Sequence, residues 1–208
     1  MGTKQQSLID ETILDAAQNL FLTQGFEHTE MMEIADHLGV SRSTLYRHFA
    51  NKGKVLCALE KRALEDLCSG LEGITGTFAT GYKEFEQYVC RMCQVLLSHP
   101  DFICFLRDFD CLYTEAYPDE CVENNRQFFS KKHYLCPMLQ SYERGIDDGS
   151  IRQSDDPLLD VLTILNASLA LSQRILPRKK LFYEEQGYSD EMIKREVHLL
   201  LQGIAASS

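Results

Sequence analysis

Apolar residues recur every three or four positions along almost the whole chain, and strict alternation of apolar and polar residues is nowhere sustained. The first apolar stripe includes Ile13, Ala17 and Phe21, and Gly25 follows it as the predicted end of a helix. Further stripes predict helices at residues 31–38, 41–49, 52–71, 82–96, 101–115, 120–145, 157–176 and 189–205. The pattern therefore predicts an all-α protein, with Pro137 expected to kink or split its helix.

Two of the predicted helices, at residues 31–38 and 41–49, are short and separated by only a few residues. Thr29 can cap the first of them and Ser41 the second, because a hydroxyl accepts a hydrogen bond from an unpaired backbone N–H. Gly39 lies at the turn, where a left-handed backbone carries no steric cost for glycine. Two short helices joined by a glycine-containing turn form a helix-turn-helix arrangement.

The charge is distributed unevenly. The chain carries 21 Lys and Arg against 31 Asp and Glu, a formal net charge of −10, so it can bind nucleic acid only through a local basic surface. Within residues 1–55 every acid precedes residue 37, whereas four of the five basic residues lie at 42–54. The sequence therefore predicts a local basic surface beside the helix-turn-helix.

The second short helix carries the chemistry that indicates DNA binding. Leu45 and Phe49 define its inward face at helical spacing. No acid occurs between residues 41 and 59, whereas a solvated helix face usually mixes both signs of charge, so we favour DNA contact over a merely exposed face. The outward face carries Ser43, Thr44, Tyr46 and Arg47.

Residues 9–56 resemble the DNA-binding domain of the TetR family of bacterial transcriptional regulators. The matching positions are Ile13, Ala16-Ala17, Leu20-Phe21, Gly25-Phe26, Thr29, Ile34-Ala35, Gly39-Val40-Ser41, Thr44-Leu45-Tyr46, His48-Phe49, Asn51-Lys52 and Leu56. The resemblance implies an N-terminal three-helix helix-turn-helix DNA-binding domain, residues 1–54, and a C-terminal helical ligand-binding and dimerisation domain, residues 55–208. It also implies a homodimer that binds a palindromic operator on double-stranded DNA.

The resemblance also implies roles for individual residues. Ser43, Thr44 and Arg47 match positions that read bases or touch adjacent phosphates. Tyr46 and His48 match positions that contact the DNA backbone, as Lys52 does at the start of the fourth helix. The predicted DNA-contacting set is Thr29, Arg42, Ser43, Thr44, Tyr46, Arg47, His48 and Lys52.

The eight cysteines do not indicate a secreted disulfide scaffold, because the N-terminus has no apolar signal segment. We therefore expect a cytoplasmic protein with free thiols, no membrane span, no metal and no cofactor. Cys90 and Cys93 have a C-x-x-C spacing, but they lie in a helical stripe without a second pair, so core packing is favoured over a zinc or redox site.

Aromatic residues are frequent between residues 85 and 142, where a pocket for a small-molecule effector would lie between helices. The candidate lining residues are Met92, Cys93, Phe105, Phe109 and Tyr134. The apolar helices at 157–176 and 189–205 are expected to pair with their copies in a second chain.

The leading hypothesis is a ligand-responsive regulator, a repressor that a small molecule releases from its operator. Two alternatives remain. One is a thiol- or metal-sensing regulator on the same fold, and the other is a helical enzyme or carrier for an apolar small molecule. No nucleophile–base motif, phosphate-binding loop or paired-carboxylate motif supports catalysis.

Overall fold

The computed structural model describes residues 2–119, 121–122 and 135–206, with side chains from residue 6 onward. All the regular elements in these ranges are helices, and a single antiparallel bridge joins Ile151 to Ala205. The all-α prediction is therefore confirmed. The helices are α1 (Gly2–Gln24), α2 (Met31–Leu38), α3 (Arg42–His48), α4 (Lys52–Leu71), α5 (Gly81–Ser98), α6 (Pro100–Leu112), α7 (Cys136–Asp147), α8 (Pro157–Ile175), α9 (Lys179–Gln186) and α10 (Asp190–Ile204), with a 3-10 turn at Leu176–Arg178.

The chain divides into two compact units whose boundaries differ from the predicted ones. The first unit contains residues 1–64 and the described part of 104–130, and the second contains 65–103 and the described part of 131–208. Helix α4 begins in the first unit and ends in the second, whereas α6 begins in the second and ends in the first. The predicted division after residue 54 therefore misses the contribution of α6 to the N-terminal unit.

Packing explains why α6 contributes to the first unit. The Phe26 ring, in the α1–α2 loop, meets Phe105 of α6 edge to face at 5.4 Å between centroids. The Phe21 ring of α1 also meets the Phe26 ring edge to face, at 5.1 Å between centroids. All three rings are almost completely buried, so the second half of α6 belongs to the core of α1–α4.

The second unit packs α5, α7, α8 and α10 around one core. The Phe85 ring of α5 lies edge to face with Tyr142 of α7 at 5.1 Å, and both side chains are fully buried. Gly81 and Gly145 bring the two backbones together so closely that a Cβ on Gly81 would lie 2.1 Å from the Gly145 nitrogen. The tyrosine hydroxyl donates to Asp160 of α8 at 2.8 Å, and burial, together with that bond, raises the pKa of Tyr142.

Helix α8 is buried along one stripe, which consists of Val161, Ile164, Ser168, Ser172 and Ile175. The helical stretch 157–186 meets the length and hydropathy of a membrane span, yet only 28% of its most apolar window is buried within the chain. Such a composition is also that of a core helix in a soluble protein. Among the described residues, Leu159 is the exposed large apolar side chain on the other faces of α8, beside the exposed polar residues Thr163, Asn166 and Arg174.

Candidate DNA-binding surface

The helix-turn-helix is fixed by local capping at both short helices. Gly39 ends α2 with a left-handed backbone, φ +66°, and the following Val40 N–H donates to the Ala35 carbonyl at 3.0 Å. Ser41 then caps α3, since its hydroxyl accepts from the Thr44 N–H at 3.1 Å. Both predicted turn residues thus have the expected conformation.

The two helices pack through small and branched apolar residues. Ile34 and Ala35 of α2 and Leu45 of α3 are completely buried, and Phe49 follows α3 with 8% exposure. Because Ala35 has only a methyl group, the two helices can approach closely at that point. This inward face fixes which residues of α3 point outward.

The outward face of α3 consists of Arg42, Ser43, Tyr46 and Arg47, all exposed, with Thr44 half-buried beside them. The Arg42 guanidinium lies over the Tyr46 ring at 5.2 Å from the centroid, which orients both side chains. The hydroxyl of Ser41 lies 2.9 Å from that of Ser43 and 2.8 Å from that of Thr44. The surface therefore offers two guanidinium groups, those of Arg42 and Arg47, and a compact hydroxyl cluster.

Nearby acids of α1 are engaged elsewhere within the first unit. Arg62 of α4 pairs with Asp15 at 2.7 Å and with Glu11 at 3.1 Å. Asp10 pairs with His48 at 2.6 Å. The acid-free stretch 41–59 thus leaves the α3 face with positive charge, although the chain as a whole is acidic.

Thr29 is buried inside the first unit and does not lie on its surface. Its side chain is completely buried, and its hydroxyl donates to the Gly25 carbonyl at 2.8 Å. The N-cap of α2 is Glu30 and not Thr29, and the Glu33 carboxylate accepts from the Glu30 N–H at 2.8 Å. The expectation that Thr29 caps α2 is wrong, and its hydroxyl is directed inward.

His48 is also directed inward. Its side chain is 3% exposed, and its Nδ1 lies 2.6 Å from the Asp10 carboxylate of α1. Its Nε2 is buried and has no hydrogen-bond partner. The imidazole therefore joins the end of α3 to α1, which differs from the backbone contact that the resemblance implied.

The ammonium group of Lys52 forms hydrogen bonds within the first unit. The Nζ donates to the carbonyls of Phe26 at 2.8 Å and Thr29 at 3.1 Å, with Glu27 at 3.5 Å. These carbonyls follow α1 and precede α2, so the lysine ties the start of α4 to the loop that positions the helix-turn-helix. This position differs from the phosphate contact implied by the resemblance.

The predicted pocket residues fall into separate units. Met92 and Cys93 are buried in α5, within the second unit, where burial raises the pKa of the Cys93 thiol to about 11. Phe105 and Phe109 are buried in the first unit and lie 5.9 Å apart, stacked. Tyr134 lies outside the described residues. In the described ranges, no group of three or more His, Cys, Asp or Glu could hold a metal ion.

One covalent link was not anticipated from the sequence. Cys57 of α4 and Cys121 form a disulfide, although 64 positions separate them. The expectation of free thiols is therefore wrong for this pair, while Cys68, Cys90, Cys93, Cys104, Cys111 and Cys136 are outside disulfide bonds. Because pairing over such a distance depends on the tertiary fold, no local pattern could have revealed it.

Comparison with known proteins supports the interpretation of this surface. Residues 13–59 match the family model of bacterial regulatory proteins of the tetR family. The activator FasR of Mycolicibacterium smegmatis is 39% identical over 59 residues, which cover 28% of this chain and 27% of FasR. The regulator SAR2658 of Staphylococcus aureus is 27% identical over 158 residues, or 74% of this chain and 77% of that protein.

Solved structures share the whole fold. A tetR-family regulatory protein from Rhodococcus RHA1 superposes with a TM-score of 0.71, at 17% identity, over 96% of this chain and 98% of that one. FadR from Bacillus subtilis, in complex with stearoyl-CoA, superposes with a TM-score of 0.68, at 19% identity, over 93% and 98%.

Fold and matched segment together define a transcriptional regulator with a helix-turn-helix for DNA binding. The resemblance to the TetR family is confirmed, and residues 13–59 are the segment that matches the family model.

Proposed function

We propose that the chain is a cytoplasmic, ligand-responsive repressor that binds a palindromic operator as a homodimer and leaves it when a small molecule binds the C-terminal helical domain. The observation that carries this proposal is the exposed, acid-free face of α3. That face is held outward by the buried Leu45 and by two capped helix ends. A basic helix presented in this way suits the major groove of DNA.

Within this surface the side chains have different chemical capacities. Arg47 is exposed, and its planar guanidinium can engage two acceptors of a guanine or bridge to a phosphate. Ser43 and Thr44 present hydroxyls beside it, which can donate to a base or a phosphate. We assign base reading to Arg47, Ser43 and Thr44, and backbone contact to Arg42 and Tyr46. Thr29, His48 and Lys52 support the surface from within.

Dimerisation is supported by the apolar surface that α8 and α10 expose. Leu159 of α8 and Leu199 of α10 are 59% and 56% exposed. A groove along α10 is lined by Leu171, Tyr188, Met192, Leu199 and Leu200, together with the charged residues Glu191, Arg195 and Glu196. Burying this surface against its copy would form a two-fold, four-helix interface. That symmetry would place the two α3 helices about one DNA turn apart, roughly 34–36 Å.

The effector role is supported by comparison rather than by a described cavity. FadR from Bacillus subtilis was solved with stearoyl-CoA, and a ketosteroid transcriptional regulator of Mycobacterium tuberculosis shares the fold with a TM-score of 0.62. A sensor of thiols or metals is the second candidate, and the Cys57–Cys121 bond favours the thiol form.

The deciding experiment is duplex selection followed by measurement of affinity. The protein would select operator sequences from a random duplex pool, and fluorescence anisotropy would compare the selected duplex with a scrambled one over a salt series. We expect Arg47→Ala to cost about 1–3 kcal/mol on the operator and to relax preference at one base of each half-site. Arg152→Ala, which removes an exposed arginine from the second unit, is the matched control and should bind as wild type.

Two outcomes would contradict this proposal. Failure to enrich any palindromic sequence would refute sequence-specific DNA binding. If Arg47→Ala weakened the operator and the scrambled duplex by the same factor, Arg47 would be a phosphate contact only, and base reading would rest on Ser43 and Thr44.

A further inference from the structure

The disulfide between Cys57 and Cys121 lies in the core of the DNA-binding unit. Both residues belong to the first unit, and their side chains are 2% and 0% exposed. Their Cα atoms are 5.1 Å apart, within the normal range for a disulfide. The bond therefore fits the packed structure without displacing either backbone.

One end of the bond belongs to the helix that supports the helix-turn-helix. Cys57 lies on α4 between Leu56 and Leu59, which are both buried. One turn earlier on the same helix, Lys52 holds the carbonyls of Phe26 and Thr29. A change in the position of α4 at residue 57 is thus transmitted to the loop that precedes α2.

The other end, Cys121, has helical backbone and lies just after an irregular stretch of the chain. Residues 113–118 follow α6 without helical structure, and Tyr117 and Val122 on either side of Cys121 are 44% and 48% exposed. Local opening of such a segment costs far less than global unfolding, so reagents can reach a sulfur that is buried on average. The segment thus provides access to a bond that the core conceals.

We propose that Cys57 and Cys121 form a reversible disulfide that low-molecular-weight thiols open and low-molecular-weight disulfides close, and that this bond sets the affinity for the operator. In the opening direction, the thiolate of a small molecule attacks one sulfur of the bond and forms a mixed disulfide with the protein. A second small thiolate then attacks the mixed disulfide and frees the protein thiol. Two thiols are oxidised to one small disulfide, and the protein gains two thiols with their protons. The regulatory part rests on the proposed DNA-binding function.

Three of the six remaining cysteines, Cys68, Cys90 and Cys93, compete poorly for this chemistry, whereas Cys111 and Cys136 are exposed. Burial raises the pKa of Cys93 to about 11 and also raises the pKa of its C-x-x-C partner Cys90. Burial, reinforced by Glu72 and Glu65, raises the pKa of Cys68 to about 11. Since the thiolate is the reactive form, these three thiols react slowly at neutral pH.

The oxidised form is expected to bind DNA more tightly. Within the first unit, the contact between Phe26 and Phe105 joins the α1–α2 loop to α6, and the disulfide adds a covalent link between α4 and Cys121. That link removes conformations of α4 that would otherwise be given up on binding DNA. Allosteric couplings commonly lie between about fivefold and 150-fold, so we expect the operator dissociation constant to rise at least about fivefold on reduction.

The test uses the full-length protein equilibrated in mixtures of reduced and oxidised glutathione. Free thiols are counted after denaturation, and the dissociation constant for the selected operator is measured on the same samples. We expect wild type to change from six free thiols to eight over one transition, in step with the affinity. Cys57→Ala and Cys121→Ala each remove the bond from one side while keeping the six other cysteines, so both should bind like the reduced wild type throughout.

Three results would overturn the proposal. The pair could remain oxidised in the native protein at millimolar reduced glutathione, which would make the bond purely structural. The affinity could stay constant while the thiol count changes, or the two variants could respond to glutathione as wild type does. Loss of operator binding by wild type in every mixture would refute the proposed function as well, whereas the first three results leave that function intact.

Discussion

Lys52 provides the sharpest test of how the DNA-binding surface is built. Its ammonium group donates to the carbonyls of Phe26 at 2.8 Å and Thr29 at 3.1 Å. Replacement of Lys52 by methionine keeps most of the aliphatic stem and removes all donors. We therefore expect Lys52→Met to destabilise the first unit by releasing the loop between α1 and α2.

The expected magnitude follows from these two bonds. A hydrogen bond to a charged group contributes about 1.5–3 kcal/mol net, and a buried carbonyl left without a donor costs about 1–3 kcal/mol. Lys52 is half-buried, so water can reach part of the site and replace some of the lost bonding. A loss of about 2–3 kcal/mol in the free energy of unfolding is therefore expected, a large share of the stability of a typical domain.

Urea unfolding followed by circular dichroism measures this loss. The matched control is Lys54→Met, because Lys54 is an exposed lysine two residues further along α4. Its replacement should change the free energy of unfolding by less than about 0.5 kcal/mol. The reasoning would be refuted if Lys52→Met unfolded at the wild-type midpoint while the salt dependence of DNA binding dropped by one phosphate contact, since the ammonium would then face the DNA.

Three further predictions concern the second unit. Leu199→Glu should convert the proposed dimer to a monomer in analytical ultracentrifugation at micromolar concentration, because it places a charge on the exposed apolar face of α10; a dimer that the substitution leaves unchanged would locate the interface elsewhere. Burial raises the pKa of Glu196, so its stabilising contribution is present below the ordinary glutamate pKa and is lost as pH rises through the raised value. Glu196→Gln should therefore raise the melting temperature at pH 7 and not at pH 4, and an equal rise at both would contradict this. The control is Glu191→Gln, because the pKa of the exposed Glu191 is shifted in the opposite direction: backbone N–H groups lower it. This substitution should not raise the melting temperature at pH 7. Gly81→Ala should cost about 3 kcal/mol because its Cβ meets the adjacent backbone, whereas Gly203→Ala, in open space on α10, should be neutral or stabilising; equal stability of the two variants would show that the α5–α7 contact can relax.

Features that depend on a few neighbouring residues could be predicted from the sequence. Gly39 and Ser41 have the expected roles because a left-handed glycine and an N-cap hydroxyl act within four positions of the chain. The inward face of α3 follows from helical spacing alone, and Leu45 and Phe49 are buried as expected. Helical spacing also predicts which residues of α3 point outward, because they lie opposite the inward face.

The internal contacts of Lys52 and His48 could not be predicted, because their partners are distant in the sequence. The carbonyl acceptors of Lys52 precede it by 23–26 positions, and Asp10 precedes His48 by 38. A basic side chain near a DNA-binding helix predicts a phosphate contact unless such an internal acceptor is known. The boundary between the two units was misplaced for a similar reason, because the contact of Phe26 with Phe105 has no local signature.

Phe26 belongs to two networks through two different parts of the same residue. Its carbonyl oxygen accepts from Lys52 and so secures α4, while its ring lies between Phe21 and Phe105 and so secures α6. A substitution at this position leaves the carbonyl in place and alters only the ring. A single substitution at this position can therefore loosen the packing of α6 against α1 without removing the lysine contact.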